Sequence, residues 1–146
     1  MPRTPVWAEL PVLPASELVP LVQSWEAAGI EGVWAPQIFG APFTTLAAAA
    51  AVTTRIKLGT GIALAFTRSP LETACSAIDL DHISDGRVVL GLGSSAESQI
   101  EGSFGMPYGK PLKHMREIVG QVRAVIEQGH TGELKRLEGE YNTLDL

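Results

Sequence analysis

Cysteine is almost absent. The chain of 146 residues carries one, Cys75, which rules out an internal disulfide. Set in a helical pattern, a lone thiol of this kind reads as a small core residue. Long apolar runs are absent too. The longest, residues 46–52, is mostly alanine and falls far short of the roughly 20 residues a membrane helix needs. The start, Met1-Pro2-Arg3-Thr4-Pro5, lacks the apolar centre of a secretory leader. Histidine is sparse: His82, His114 and His130 stand far apart, and none has metal-ligand spacing with another or with Cys75. Charge is low, at 18% of residues with a net −5, so nothing attracts a nucleic acid. The one basic cluster, Lys110, Lys113, His114 and Arg116, reads as a solvated helix face. The expectation is a cytoplasmic protein with no metal, no membrane partner and no nucleic-acid partner.

What is present is apolar and punctuated by glycine. A hydrophobic fraction of 45% at this length fits one globular domain over residues 1–146. The stretch Arg87-Val88-Val89-Leu90-Gly91-Leu92-Gly93-Ser94-Ser95 is apolar and β-branched, then stops at small residues. It reads as a parallel strand buried on both faces. The small residues mark its C-terminal end, where α/β folds bind ligands. Arg55-Ile56-Lys57-Leu58-Gly59-Thr60-Gly61-Ile62-Ala63-Leu64 repeats the pattern.

Residues 6–10 form a weak strand, closed by Pro11 and Pro14. Ser16 can cap a helix carrying Leu18, Leu21, Val22, Trp25 and Ala28, with Pro20 in its first turn and Gly29 at its C-terminal cap. A second strand over 30–35 leads to Pro36-Gln37-Ile38-Phe39-Gly40. An alanine-rich helix over 42–52 precedes the third strand. Ser69-Pro70-Leu71-Glu72 then opens a helix as a capping box with proline at its first position. That helix ends at Asp85-Gly86, and the fourth strand follows. A short helix within 96–104 and a longer one from Pro111 come next, the latter with Met115, Ile118, Val119, Val122, Val125 and Ile126 near one face. Residues 137–141 read as a turn. Four βα units in succession imply an α/β fold with a parallel sheet and right-handed crossovers. The order alone does not separate an open sheet from part of a (β/α)8 barrel.

Gly91-Leu92-Gly93-Ser94-Ser95-Ala96 matches the dinucleotide pattern G-x-G-x-x-A. It stands after the fourth strand rather than the first, and no strand-end acid lies about 20 residues on, so that reading is disfavoured. Gly59 and Gly61 inside a strand mark a bulge, a close approach or barrel curvature. Asp79, Asp81 and Asp85 read as a polar helix face and cap. Trp7, Trp25 and Trp34 fit apolar positions, and no catalytic constellation emerges.

Gly32-Val33-Trp34, Thr54-Arg55-Ile56-Lys57-Leu58-Gly59-Thr60-Gly61-Ile62, Arg68-Ser69-Pro70 and Gly86-Arg87-Val88-Val89-Leu90-Gly91-Leu92-Gly93-Ser94, in this order, resemble the bacterial luciferase-like flavin monooxygenases. Phe104-Gly105-Met106-Pro107-Tyr108, Lys110-Pro111 and Met115-Arg116-Glu117 are similar to the subgroup of oxidoreductases that use the deazaflavin coenzyme F420. The resemblance implies a (β/α)8 barrel whose strand ends carry coenzyme F420, with FMN as the alternative, and hydride transfer to or from a small organic substrate. It places a cis peptide behind the ring at Gly61-Ile62, backbone and hydroxyl contacts at Gly93 and Ser94, and Leu64 in the same pocket. Gln37 is a further candidate contact. Acid and histidine positions of related enzymes are matched here by Gln37 and Ile38, and a glutamate position by Ala96, so no catalytic acid or base carries over.

A full barrel takes about 250 residues. Four βα units make the N-terminal half of one, expected either to pair with a second copy or a complementing half-barrel, or to be a fragment of a longer gene. The alternative function is a non-catalytic half-barrel that acts only by such association.

Overall fold

A computed structural model of the chain describes residues 4–146; Met1, Pro2 and Arg3, the first part of the segment compared above with a leader, lie outside them. The elements run β1 (Trp7–Glu9), α1 (Ala15–Ala27), β2 (Gly32–Ala35), α2 (Pro42–Ala50), β3 (Lys57–Thr60), β4 (Ala63–Leu64), α3 (Pro70–Ser84), β5 (Val88–Val89), β6 (Leu92–Gly93), α4 (Glu97–Phe104), α5 (Pro111–Gln128), β7 (Arg136–Leu137) and β8 (Leu144–Asp145). The chain divides into two compact units. The first runs up to Ala63 and includes Asp79–Leu92; the second is Leu64–Ile78 with Gly93–Leu146.

The first unit is built on a parallel sheet of order β1-β2-β3-β5. Register assigns Ala8, Val33, Ala35, Leu58 and Val88 to one face. That face packs on Leu18 and Val22 of α1, Leu46, Ala49 and Ala50 of α2 and Leu80 of α3. Each fully buried leucine or valine there contributes about 1.5–3 kcal/mol. The opposite face carries Trp7, Trp34, Gly32, Gly59 and Val89. Its glycines make room for indoles: a Cβ on Gly32 would lie 2.6 Å from the Trp7 ring, and one on Gly59 would lie 2.9 Å from it.

Two charged side chains clamp the turn into β3. The Glu26 carboxylate accepts the backbone N–H groups of Thr54, Arg55 and Ile56 at 2.9, 2.6 and 2.9 Å. Arg87 takes the other polarity. Its guanidinium donates to the carbonyls of Ala50, Thr53, Ile56 and Ser84 and to the Thr53 hydroxyl, at 2.5–3.1 Å. All five N–H donors of the group are thereby used.

The second unit is packed around α5, whose buried stripe is His114, Ile118, Gln121, Val122 and Val125, and around Ile100 of α4. β7 and β8 form an antiparallel hairpin beyond it. Among the described residues no helix is long and apolar enough to cross a membrane.

Several sequence expectations need correction. α1 begins at Ala15 after Pro14, so Ser16 sits inside the helix and caps nothing, and Pro20 is interior. The third strand breaks after Thr60 and resumes at Ala63, and the fourth breaks after Val89 and resumes at Leu92. The fourth strand is not buried on both faces: β5 lies at the sheet's edge and Val89 is 47% exposed. Cys75 is exposed, because α3 turns Thr73, Ala74, Ala77 and Leu80 inward and leaves position 75 outside. The stripe of α5 is rotated, with Ile126 outward and His114 and Gln121 inward. The capping box is half made: Ser69 Oγ accepts the Glu72 N–H at 3.0 Å, while the Glu72 carboxylate pairs with Arg68.

Replacing Arg87 by methionine strands four backbone carbonyls. The expected loss is about 3 kcal/mol or more, and Arg87→Lys recovers less than half of it, because an ammonium cannot span the fork. Urea unfolding midpoints of the two variants measure this; a midpoint unchanged in Arg87→Met would refute the clamp.

Candidate functional site

In the first unit the C-terminal ends of β2 and β3 are tied together. Gly61 N–H donates to Ala35 O at 2.9 Å and Gln37 N–H to Ile62 O at 3.2 Å. Between these two bonds the Gly61–Ile62 peptide is cis, as the resemblance implied. Thr60 then joins this end to the fourth strand. Its hydroxyl donates to Gly91 O at 2.7 Å, lies 2.8 Å from the Gly91 N–H, and Ala63 N–H reaches Gly91 O at 2.8 Å. Any side chain at position 91 would strike the Thr60 carbonyl oxygen. Gly91 is therefore a strand-packing residue, which removes it from the dinucleotide pattern weighed above.

Around this end the surface is apolar. Ile38 is 61% exposed, Phe39 73% and Ile62 36%, while Gln37 is buried. No ionisable residue occurs in 33–54, 58–67 or 88–96. A Cβ on Gly61 would lie 2.7 Å from Trp34, so the indole fills that side of the glycine. What the strand end offers to a ligand is the Gly61-Ile62 backbone and the Ile62 side chain. An uncharged apolar ledge of this kind fits the face of a flat heteroaromatic ring.

The other expected contacts belong to the second unit. Leu64 is buried, and Gly93 and Ser94 are half-buried, with Ser94 Oγ donating to Ser95 O at 3.3 Å. Nearby in that unit lies a cluster that sequence reasoning missed. The His114 ring is sandwiched between Phe66, at 3.9 Å and 9°, and Tyr141, at 4.0 Å and 18°. Tyr108 meets Phe66 edge-on at 5.4 Å. His114 was read as part of a solvated face; it is buried because α5 turns it inward between two rings. No sequence signal pairs residues 66, 114 and 141, which come from three separate segments.

Glu117, one turn on, holds the loop that carries Tyr141. Its carboxylate accepts the backbone N–H groups of Glu140, Tyr141 and Asn142 at 2.7, 3.0 and 2.6 Å. Burial pushes the Glu117 carboxyl up, but those N–H groups and the Asn142 amide outweigh it and hold the group below the ordinary glutamate range. Among the described residues no group of three or more His, Cys, Asp or Glu could hold a metal ion.

The model of the luciferase-like monooxygenase family matches residues 2–145. The chain belongs to that family. Its relatives include proteins of Mycobacterium tuberculosis strain H37Rv. The uncharacterised protein Rv1360 is 41% identical over 118 residues, covering 81% of this chain and 35% of its own length. "Putative coenzyme F420-dependent oxidoreductase Rv3520c" is 39% identical over 106 residues, covering 72% of this chain and 30% of its own. Among solved structures, the coenzyme F420-dependent tetrahydromethanopterin reductase of Methanopyrus kandleri aligns with a TM-score of 0.76 and 28% identity, over 96% of this chain and 44% of that one. The oxygenating constituent of 3,6-diketocamphane monooxygenase from Pseudomonas putida, in complex with FMN, aligns with a TM-score of 0.73 and 21% identity, over 97% of this chain and 43% of that one. The α/β fold of this luciferase-like chain is thus that of half a TIM barrel. The chain spans about a third of the length of the curated relatives it matches.

A lowered carboxyl is a source of stability that is complete above the unfolded pKa, about 4.3, and fades as pH falls through the folded one. Glu117→Gln removes that source. The stability gap between wild type and Glu117→Gln is expected to be largest near neutrality and to narrow as pH drops below the ordinary glutamate range, read from urea midpoints at a series of pH values. A gap that widens in acid contradicts the assignment.

Proposed function

We propose that this chain contributes the strand-end seat for the redox ring of a coenzyme F420-dependent oxidoreductase, with FMN as the alternative ring. The observation that carries this is the uncharged ledge at Ile62, open to approach and braced by the Gln37 N–H on the Ile62 carbonyl. Gly61 and Ile62 would back the ring and Gln37 would hold the loop beside it. Leu64, Gly93 and Ser94, in the other unit, are proposed contacts on the resemblance alone. The ring, when bound, supplies hydride transfer to or from a small organic substrate. The residues of the ledge orient it and exclude water; none of them titrates, so they neither give nor take a proton. The relative named for coenzyme F420 supports the deazaflavin as first choice.

Trp34 touches Gly61, so a ring seated on the ledge quenches tryptophan emission. Titration with coenzyme F420 and, separately, with FMN is expected to give saturable quenching by one of them at micromolar concentration. Ile62→Glu is expected to weaken it at least tenfold by putting a charge under the ring. If neither compound quenches, or the variant binds as well as wild type, this seat is wrong.

A second reading is association, with or without catalysis. Among the described residues the outer strand of the sheet, β5, has no strand paired on its far side, and Val89 is 47% exposed. Such an edge suits pairing with a second copy or a complementing half-barrel. Native mass spectrometry at micromolar concentration is expected to show a dimer that Val89→Lys dissociates; a monomer in both cases ends the pairing with a second copy.

A further inference from the structure

The second unit contains a cavity of about 160 Å³, bounded by Ala65, Phe66, Met106, His114, Ile118 and Tyr141 among others. An apolar cavity of about 150 Å³ is large enough for benzene. We infer that this cavity is a binding site for a small uncharged aromatic alcohol, built from residues other than those assigned to the redox ring.

Three observations select that class. The first is shape and polarity: the walls named above are mostly apolar or aromatic, which favours a single ring over a polar chain. The second is charge. Arg68 also lines the cavity, but its Nε is paired with the Glu72 carboxylate at 3.0 Å, so the wall has no uncompensated cation for an anionic ligand. The third is the orientation of one imidazole. The rings of Phe66 and Tyr141 fix the plane of His114, and its Nδ1 lies 3.2 Å from the Tyr108 carbonyl oxygen. A carbonyl only accepts, so Nδ1 carries the proton, and Nε2 of the neutral ring is left as an acceptor. Among the described residues none donates a hydrogen bond to Nε2, and Nε2 is not one of the sealed unpaired polar atoms, so a ligand can reach it. A ligand hydroxyl is the group that satisfies it.

The recognition is held in place from behind. Glu117 secures the backbone of 140–142 and with it the Tyr141 ring, and the Tyr141 hydroxyl accepts the Lys110 N–H at 2.9 Å where α5 begins. The acceptor is thus presented by a rigid frame, which lowers the ordering cost of binding.

The test uses the chain as it stands, without any redox cofactor, at about pH 8 where an ordinary histidine is neutral. The probes are p-cresol, toluene and benzoate, followed by nitrogen NMR of labelled histidine and by calorimetry. p-Cresol is expected to bind saturably and to shift the His114 Nε2 resonance. Toluene is expected to bind at least fivefold more weakly with no shift at Nε2, and benzoate at least tenfold more weakly. His114→Phe keeps a ring between Phe66 and Tyr141 but removes the acceptor, so it should bind cresol and toluene alike. Equal binding of cresol and toluene to wild type, an unmoved Nε2 resonance, or a preference for benzoate overturns the inference. The wild-type comparison decides even if His114→Phe does not fold.

Discussion

The backbone of residues 53–56 turns from α2 into β3 with its polar groups gripped from both sides. Glu26 takes three N–H groups and Arg87 takes the carbonyls of Thr53 and Ile56. A tight turn under a sheet would otherwise leave these groups to water or unpaired, at about 1–3 kcal/mol for each buried orphan. The two side chains carry opposite full charges and meet backbone dipoles there and, for Arg87, the Thr53 hydroxyl, so each strengthens the bonds it makes. Arg87 also reaches Ala50 and Ser84, and so ties the ends of α2 and α3 to the same turn. The start of β3 is thereby fixed, and with it the register that delivers Gly61 and Ile62 to the strand end.

The second unit uses the acidic half of this device again. Glu117 gathers three consecutive N–H groups of the loop at 140–142, and Gly139 leaves room for the carboxylate, since a Cβ there would collide with it. In both units a glutamate on a helix holds a turn far away in sequence. The difference lies in what each turn delivers. Residues 54–56 lead a strand, whereas 140–142 bring an aromatic ring onto an imidazole.

Element order was legible because it rests on local chemistry. Prolines at the starts of α2, α3 and α5 and the Ser69 cap declare helix beginnings that need no tertiary partner. The parallel sheet followed from alternation of strand and helix. Features that depend on what arrives from elsewhere were not legible. Gly59 read equally well as a bulge, a close approach or curvature, and Gly32 had no reading of its own; both are small because Trp7 lies across them. Arg87 read only as the first residue of an apolar run, since nothing nearby in sequence names its acceptors. Cys75 and His114 exchanged expected places for different reasons: α3 has too weak an amphipathic pattern to announce its rotation, whereas the apolar stripe of α5 takes in a histidine that its charged neighbours in sequence disguise. The cis peptide at Gly61-Ile62 came from family resemblance, not from composition or periodicity.

Ionisable groups are unevenly distributed along the chain. The strand-end segments contain none, and Gly61, Ile62 and Gln37 bring only backbone dipoles, one amide and an alkyl surface to their ledge. In the proposed seat a ring would meet a fixed, nearly neutral environment, which suits transfer of a hydride more than chemistry that needs a protein acid in the same place. Imidazole chemistry is kept apart in the sequence and in the structural unit that holds His114. There an imidazole, oriented by two aromatic neighbours and one carbonyl, keeps Nε2 as the ring nitrogen that can meet a ligand. An acceptor so oriented discriminates by hydrogen bonding, and a site that offers one to a hydroxyl holds less tightly the molecule that lacks the hydroxyl.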